Sequence, residues 1–198
     1  MSFTFIDCIK VFFSKEKIIK NFGTRRIFIR FLVQKILYAL GYYNQYKQGL
    51  DFSGVRRLVF VCHGNIFRSA YAEAVVAKKG ILASSFGLAA VAGDLAAEIA
   101  RACAKDNGVD LEAHRAKSRL TFEVLPGDLV VVMDHAQLKE VEAMGLVAGV
   151  QYTMLGLWSR DYTCPVVLDP YGRGELFCKN VYMQINDCLE ALTMQHGY

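Results

Sequence analysis

Residues 58–77 read LVFVCHGNIFRSAYAEAVVA, and the change of pattern inside this stretch decides the fold. Leu58 to Val61 is a continuous apolar run, the mark of a strand buried on both faces. From Ala70 to Ala77 small helix formers take over. Between the two lies CHGNIFRS, which sets Cys62 six positions ahead of Arg68 at a strand-to-helix turn. Backbone N–H groups of such a turn point at a bound anion, and the following helix adds the positive end of its dipole. Gly64 permits a tight turn, Asn65 tolerates the left-handed region, and Ser69 offers a hydroxyl at the helix start. None of the other five cysteines has arginine at the same spacing. Arg68 in the first helical turn opposes the helix dipole, a misfit that a bound anion would compensate.

Outward from this stretch the pattern alternates. Strands are expected at 57–61, 81–86, 128–133 and 150–155, with helices at 69–79, 94–107, 135–144 and 180–194. Such alternation predicts an α/β domain with a parallel sheet and helices on both faces, whose ligands bind beyond the carboxyl ends of the strands. Cys62 and Asp134 both follow strands and so belong to that edge. Asp169 falls in the irregular stretch 158–175, which is long enough to fold back over it.

The eight residues Cys62, His63, Gly64, Asn65, Ile66, Phe67, Arg68 and Ser69 resemble the signature loop of the low-molecular-weight protein tyrosine phosphatases: Cys, any residue, Gly-Asn, any two residues, Arg-Ser. Two further family hallmarks are similar: Asp169-Pro170-Tyr171, and the Met133-Asp134 pair behind an apolar strand. The resemblance runs from about residue 57 to 194. It implies metal-independent and cofactor-free hydrolysis of phosphotyrosine in protein substrates through a cysteinyl-phosphate intermediate. Cys62 would then be the nucleophile, working as a thiolate. Arg68 would clamp two phosphate oxygens, and Asp169 would serve as general acid and later general base. Positions 63–69 would bind phosphate, Tyr171 would form an aromatic wall beside the leaving group, and Ser85 and His114 would join Asn65 and Ser69 in a network supporting the loop. Asp134 is expected to cap a helix. Taken without the loop, Asp-Pro-Tyr-Gly is simply a good turn sequence.

Other readings compete. A protein that keeps the loop but not turnover would be a phosphotyrosine-binding or membrane-docked module. A thiol-dependent arsenate reductase would need further cysteines near 134–141, where the chain has none. Ile66 resembles the tyrosine-directed members, whereas arginine-phosphate-directed members carry threonine there. The chain departs from many relatives in having Phe67, not a second cysteine, before Arg68, so no adjacent-cysteine protection against peroxide is expected. The segment 86–93 is shorter and blander than the family's cleft loop.

With 198 residues, 54% of them hydrophobic, the chain suffices for one α/β domain plus an appendage. Charge divides it at about residue 50. Residues 1–50 hold nine Lys/Arg against two Asp/Glu, and the remainder holds 14 against 17. The expectation is a basic helical extension over 1–50 and the phosphatase-like domain over 51–198, with the boundary between Tyr42 and Asp51. Apolar residues recur at helical spacing on either side of a break at 21–23, predicting two amphipathic helices. Arg30 and Lys35 interrupt the most apolar part, so no membrane span is expected, and no secretory signal is legible. The extension is expected to pack on the domain or a second copy, or to lie on a membrane as a peripheral anchor. No nucleic-acid module accompanies the charge. Six cysteines without a CxxC pair and four scattered histidines give no metal-ligand spacing. A thiolate nucleophile points to the cytoplasm or the cytoplasmic face of a membrane.

Overall fold

The four strands form one parallel sheet: β1 (Arg57–Cys62), β2 (Ala83–Gly87), β3 (Asp128–Val132) and β4 (Gln151–Met154), in the order β2-β1-β3-β4. The computed structural model describes residues 22, 24–145, 147–160 and 164–195. Leu58 to Val61 and Leu129 to Val132 are all fully buried, which is why the central strands read as unbroken apolar runs.

The helices are α1 (Arg25–Ala39), α2 (Gln45–Gln48), α3 (Arg68–Lys78), α4 (Glu98–Asp106), α5 (His135–Glu142) and α6 (Glu175–Gln195). α3 links β1 to β2 and α5 links β3 to β4, outward in opposite directions from the sheet centre. Right-handed crossovers therefore place them on opposite faces, with a topological switch point at the carboxyl end of β1. α4 begins at Glu98 rather than 94, because Leu95 bridges Arg115 and the Ala116 N–H bonds the Asp94 carbonyl. α6 begins at Glu175, ahead of the expected 180. Gly172 and Gly174, both with positive φ, end the preceding turn, and Leu176 in the first helical turn is 75% exposed, which weakens the apolar periodicity there.

The stretch 42–51, where the composition changes, is bonded along β4. Tyr43 lies in the main core, the Thr153 hydroxyl donates to the Tyr46 carbonyl at 2.7 Å, and Asp51 and Gln151 exchange two hydrogen bonds of 2.7 and 2.6 Å. Of the two helices expected before it, the first lies outside the described residues. The second is α1, capped by Thr24, whose hydroxyl accepts from Ile27 N at 3.2 Å. Phe28 is buried with Phe22 against Ile27, Phe31, Leu32 and Leu168, a burial that contributes about 1.5–3 kcal/mol. Gln34 is buried too, its Oε1 accepting from His135 N at 3.2 Å. No helix among the described residues is long and apolar enough to cross a membrane.

Candidate active site

β1 ends at Cys62, in register with Gly87 at the end of β2. The loop that follows comes so close to β2 that a Cβ on Gly87 would lie 2.7 Å from the His63 carbonyl oxygen and 2.9 Å from Asn65 N. Glycine is therefore required there. The N–H groups of Leu88 and Ala89 hold the loop from the same side, donating to the Cys62 and His63 carbonyls at 3.0 and 2.9 Å. Asn65 turns the chain with φ 55°, the only described non-glycine residue at positive φ. α3 then starts at Arg68 with no side-chain cap. Its first N–H groups thus have no capping side chain, an arrangement suited to an anion.

The Cys62 sulfur accepts from Asn65 N at 3.3 Å and lies 3.0 Å from the Ser69 hydroxyl. Asn65 Nδ2 donates to Ser69 Oγ at 2.9 Å and to Ser85 Oγ at 2.7 Å, while its Oδ1 accepts from Lys117 N at 2.8 Å. Because Ser69 Oγ already accepts from Asn65 Nδ2, its own O–H is left to donate to the sulfur. Ser85 in turn donates to the Glu73 carboxylate, and Glu73 pairs with Lys117 Nζ at 3.1 Å. His114 Nε2 bonds the Asn65 carbonyl at 2.7 Å. A carbonyl only accepts, so Nε2 carries the proton of this bond, and burial pushes the His114 pKa below its ordinary 6.5. Asn65, Ser69, Ser85 and His114 thus converge on the loop, whereas Asp134 caps α5 by accepting from Ala136 N and Gln137 N at 2.8 and 3.1 Å.

Arg68 is 4% exposed. Its Nη1 donates to the Val167 carbonyl at 3.0 Å and its Nη2 lies 2.9 Å from Asp169 Oδ2, while the buried Nε has no partner among the described residues. The segment carrying Asp169 is fixed by Val167 N on the Met133 carbonyl at 2.9 Å and by Gln184 Nε2 on the Val166 carbonyl at 3.0 Å. Cys62, His63, Gly64, Ile66, Phe67, Arg68, Asp169 and Tyr171 line a cavity of about 190 Å³. Tyr171 is 70% exposed and meets Phe67 edge-on at 6.3 Å, giving the cavity an aromatic rim.

Three features lay outside the reading of the sequence. Gly87 and the Glu73–Lys117 pair support the loop from beneath. Glu73 stands four residues after Ser69 on α3, a spacing that puts both on one helix face. The third is α1, which contributes Ile27, Arg30, Phe31 and Gln34 to a second cavity of about 280 Å³ that shares His63, Arg68 and Asp169 with the first.

The low molecular weight phosphotyrosine protein phosphatase family model matches residues 57–196. The chain is similar to the probable low molecular weight protein-tyrosine-phosphatase EpsP of Ralstonia nicotianae, 33% identical over 91 residues, and spans 63% of that relative's length and 45% of its own. The crystal structure of the tyrosine phosphatase amsI of Erwinia amylovora is similar with a TM-score of 0.62 at 26% identity, covering 76% of this chain and 97% of that one. The YwlE arginine phosphatase of Geobacillus stearothermophilus shares the fold, with a TM-score of 0.59 at 21% identity over 71% of this chain and 92% of that one. With its loop, switch-point geometry and matched length, the chain belongs to the low molecular weight phosphotyrosine protein phosphatase family.

Proposed function

We propose that the chain hydrolyses phosphotyrosine in protein substrates by way of a cysteinyl-phosphate intermediate. The observation that carries this reading is that Cys62, its sulfur held by Asn65 N–H and the Ser69 hydroxyl, lines the same cavity as the buried Arg68. Arg68 Nε, buried and without a partner among the described residues, is a donor suited to a phosphoryl oxygen. In the first step the thiolate attacks phosphorus in line, the S–P bond forms and the P–O bond to the phenol breaks. The departing phenolate takes a proton from Asp169. In the second step Asp169, now a carboxylate, removes a proton from water, whose oxygen attacks phosphorus and releases inorganic phosphate and the thiolate.

Loop N–H groups and Arg68 stabilise the charge that spreads over the equatorial oxygens in both steps. The rim of Phe67 and Tyr171 favours an aryl leaving group, and Ile66 lines the same cavity. A thiolate nucleophile needs a reducing compartment, and the cytoplasm is the proposed site of action. Turnover of p-nitrophenyl phosphate in the presence of a chelator, compared between the wild type and Cys62→Ser, tests the reading. The wild type is expected to turn over and the variant to be inert; equal rates would reject it.

A further inference from the structure

The face of α1 turned away from the domain carries Ile29, Val33, Ile36 and Leu40 at its end, with 56%, 49%, 56% and 76% of their surfaces exposed. These positions follow one another at spacings of four, three and four residues, which is a single stripe along a helix. Phe28 and Gln34, the buried residues of α1, lie on the other side. A helix that only packs on its own domain would present charge along its outer side. Here the outer side is a contiguous apolar row, and exposed rows of this kind mark contact surfaces.

Charge identifies the occupant. α1 reads RRIFIRFLVQKILYA and contains no acidic residue. Arg25 and Arg26 are exposed at its amino end, and Arg30 stands exposed at the edge between the stripe and the catalytic cleft. The wider segment 1–50 has nine basic against two acidic residues. A large apolar side flanked by arginines suits the boundary between anionic headgroups and acyl chains, where guanidinium groups meet lipid phosphate and aliphatic side chains leave water.

We propose that α1 docks this protein on an anionic lipid surface, with Ile29, Val33, Ile36 and Leu40 entering the acyl boundary and Arg25, Arg26 and Arg30 meeting the headgroups. Because α1 also walls the cavity shared with Arg68 and Asp169, docking brings the cleft to the membrane surface. The docking is independent of the reaction assigned to that cleft.

The test is co-sedimentation of the full chain with vesicles of phosphatidylcholine alone or mixed with phosphatidylglycerol. Wild type is expected to sediment with the mixed vesicles and stay in solution with the neutral ones. Ile29→Glu/Ile36→Glu should weaken binding about tenfold or more, and Arg25→Glu/Arg26→Glu about fivefold or more for each arginine changed. Thermal melting and turnover of p-nitrophenyl phosphate at wild-type levels would show that the variants remain folded, and Leu40→Glu, at the most exposed position, gives a second reading if the double variant does not fold. Wild type remaining in the supernatant would overturn the proposal, as would folded stripe variants that sediment like wild type. A wild-type dimer that ignores vesicles and becomes monomeric in the stripe variants would overturn it in favour of an interface between copies.

Discussion

The guanidinium of Arg68 and the carboxylate of Asp169 lie 2.9 Å apart, so the residues proposed as phosphate clamp and general acid share one ion pair. The two side chains come from the start of α3 and from the irregular segment before α6, and the Val167 carbonyl, two residues ahead of Asp169, accepts from the same guanidinium. On the proposed mechanism, a phosphate dianion entering the cavity would compete with that carboxylate for Arg68.

Asp169→Asn is therefore expected to act in two directions. Loss of the acid and base should lower kcat for p-nitrophenyl phosphate by about 10²- to 10⁴-fold. Removal of the competing negative charge should tighten competitive inhibition by inorganic phosphate severalfold. Steady-state kinetics with phosphate as inhibitor reads both. Weaker inhibition in the variant would show that the pair does not compete with the anion.

Asn65 combines a left-handed backbone with three side-chain hydrogen bonds. Asn65→Ala and Asn65→Gly lose the same bonds, but only alanine meets the steric cost of positive φ. The alanine variant should be less stable than the glycine variant by about 1 kcal/mol in urea unfolding, and both should lose at least about tenfold in kcat/KM. Equal stability of the two would mean that the loop relaxes away from this backbone.

Gly87→Ala would place a Cβ 2.7 Å from the His63 carbonyl and force the loop after Cys62 to shift. Overpacking of this kind costs about 1–3 kcal/mol of stability, while a misplacement near 1 Å costs about 10²-fold in rate. The expected signature is a folded protein with kcat/KM down about 10²-fold. Wild-type kinetics in Gly87→Ala would show that β2 does not set the loop position.

His114 supplies a pH dependence. Burial depresses its pKa from 6.5, so the folded state resists protonation. Below 6.5 the unfolded chain takes up the proton first, and stability falls with pH until the folded value is passed. The contribution of the neutral ring is thus full above 6.5 and lost under acid conditions. His114→Gln keeps a donor for the Asn65 carbonyl but does not titrate. Relative to this variant, wild type should lose stability in urea melts between about pH 7.5 and about pH 5, and a gap independent of pH would contradict the assignment.

The loop between β1 and α3 and the alternation of strands and helices along the chain were legible because both are local. The apolar runs of β1 and β3 announce strands buried on both faces, and Gly64 with Asn65 announces the turn between β1 and α3. The network under the loop is not local. Ser85 and His114 were named only through the family resemblance and Lys117 not at all, because all three reach Asn65 from other parts of the chain and no periodicity reveals which polar group meets which. Gly87 carries no signal of its own, since its neighbours form a bland loop, yet what matters there is the absence of a side chain. The extension shows a different difficulty. Packing on the domain and docking elsewhere were alternatives in the sequence, whereas in the structure Phe28 and Ile29 point α1's two faces in different directions, one buried and one 56% exposed.

On the proposed mechanism the Cys62 sulfur forms the covalent intermediate. Rapid acid quench of the enzyme during turnover of p-nitrophenyl phosphate, followed by peptide mass spectrometry, tests it most directly. One phosphoryl group on the peptide at Cys62, absent in Cys62→Ser and accumulating when Asp169 is replaced by alanine, is the expected result. Sustained turnover with no phosphoryl group on that peptide at any quench time would contradict it.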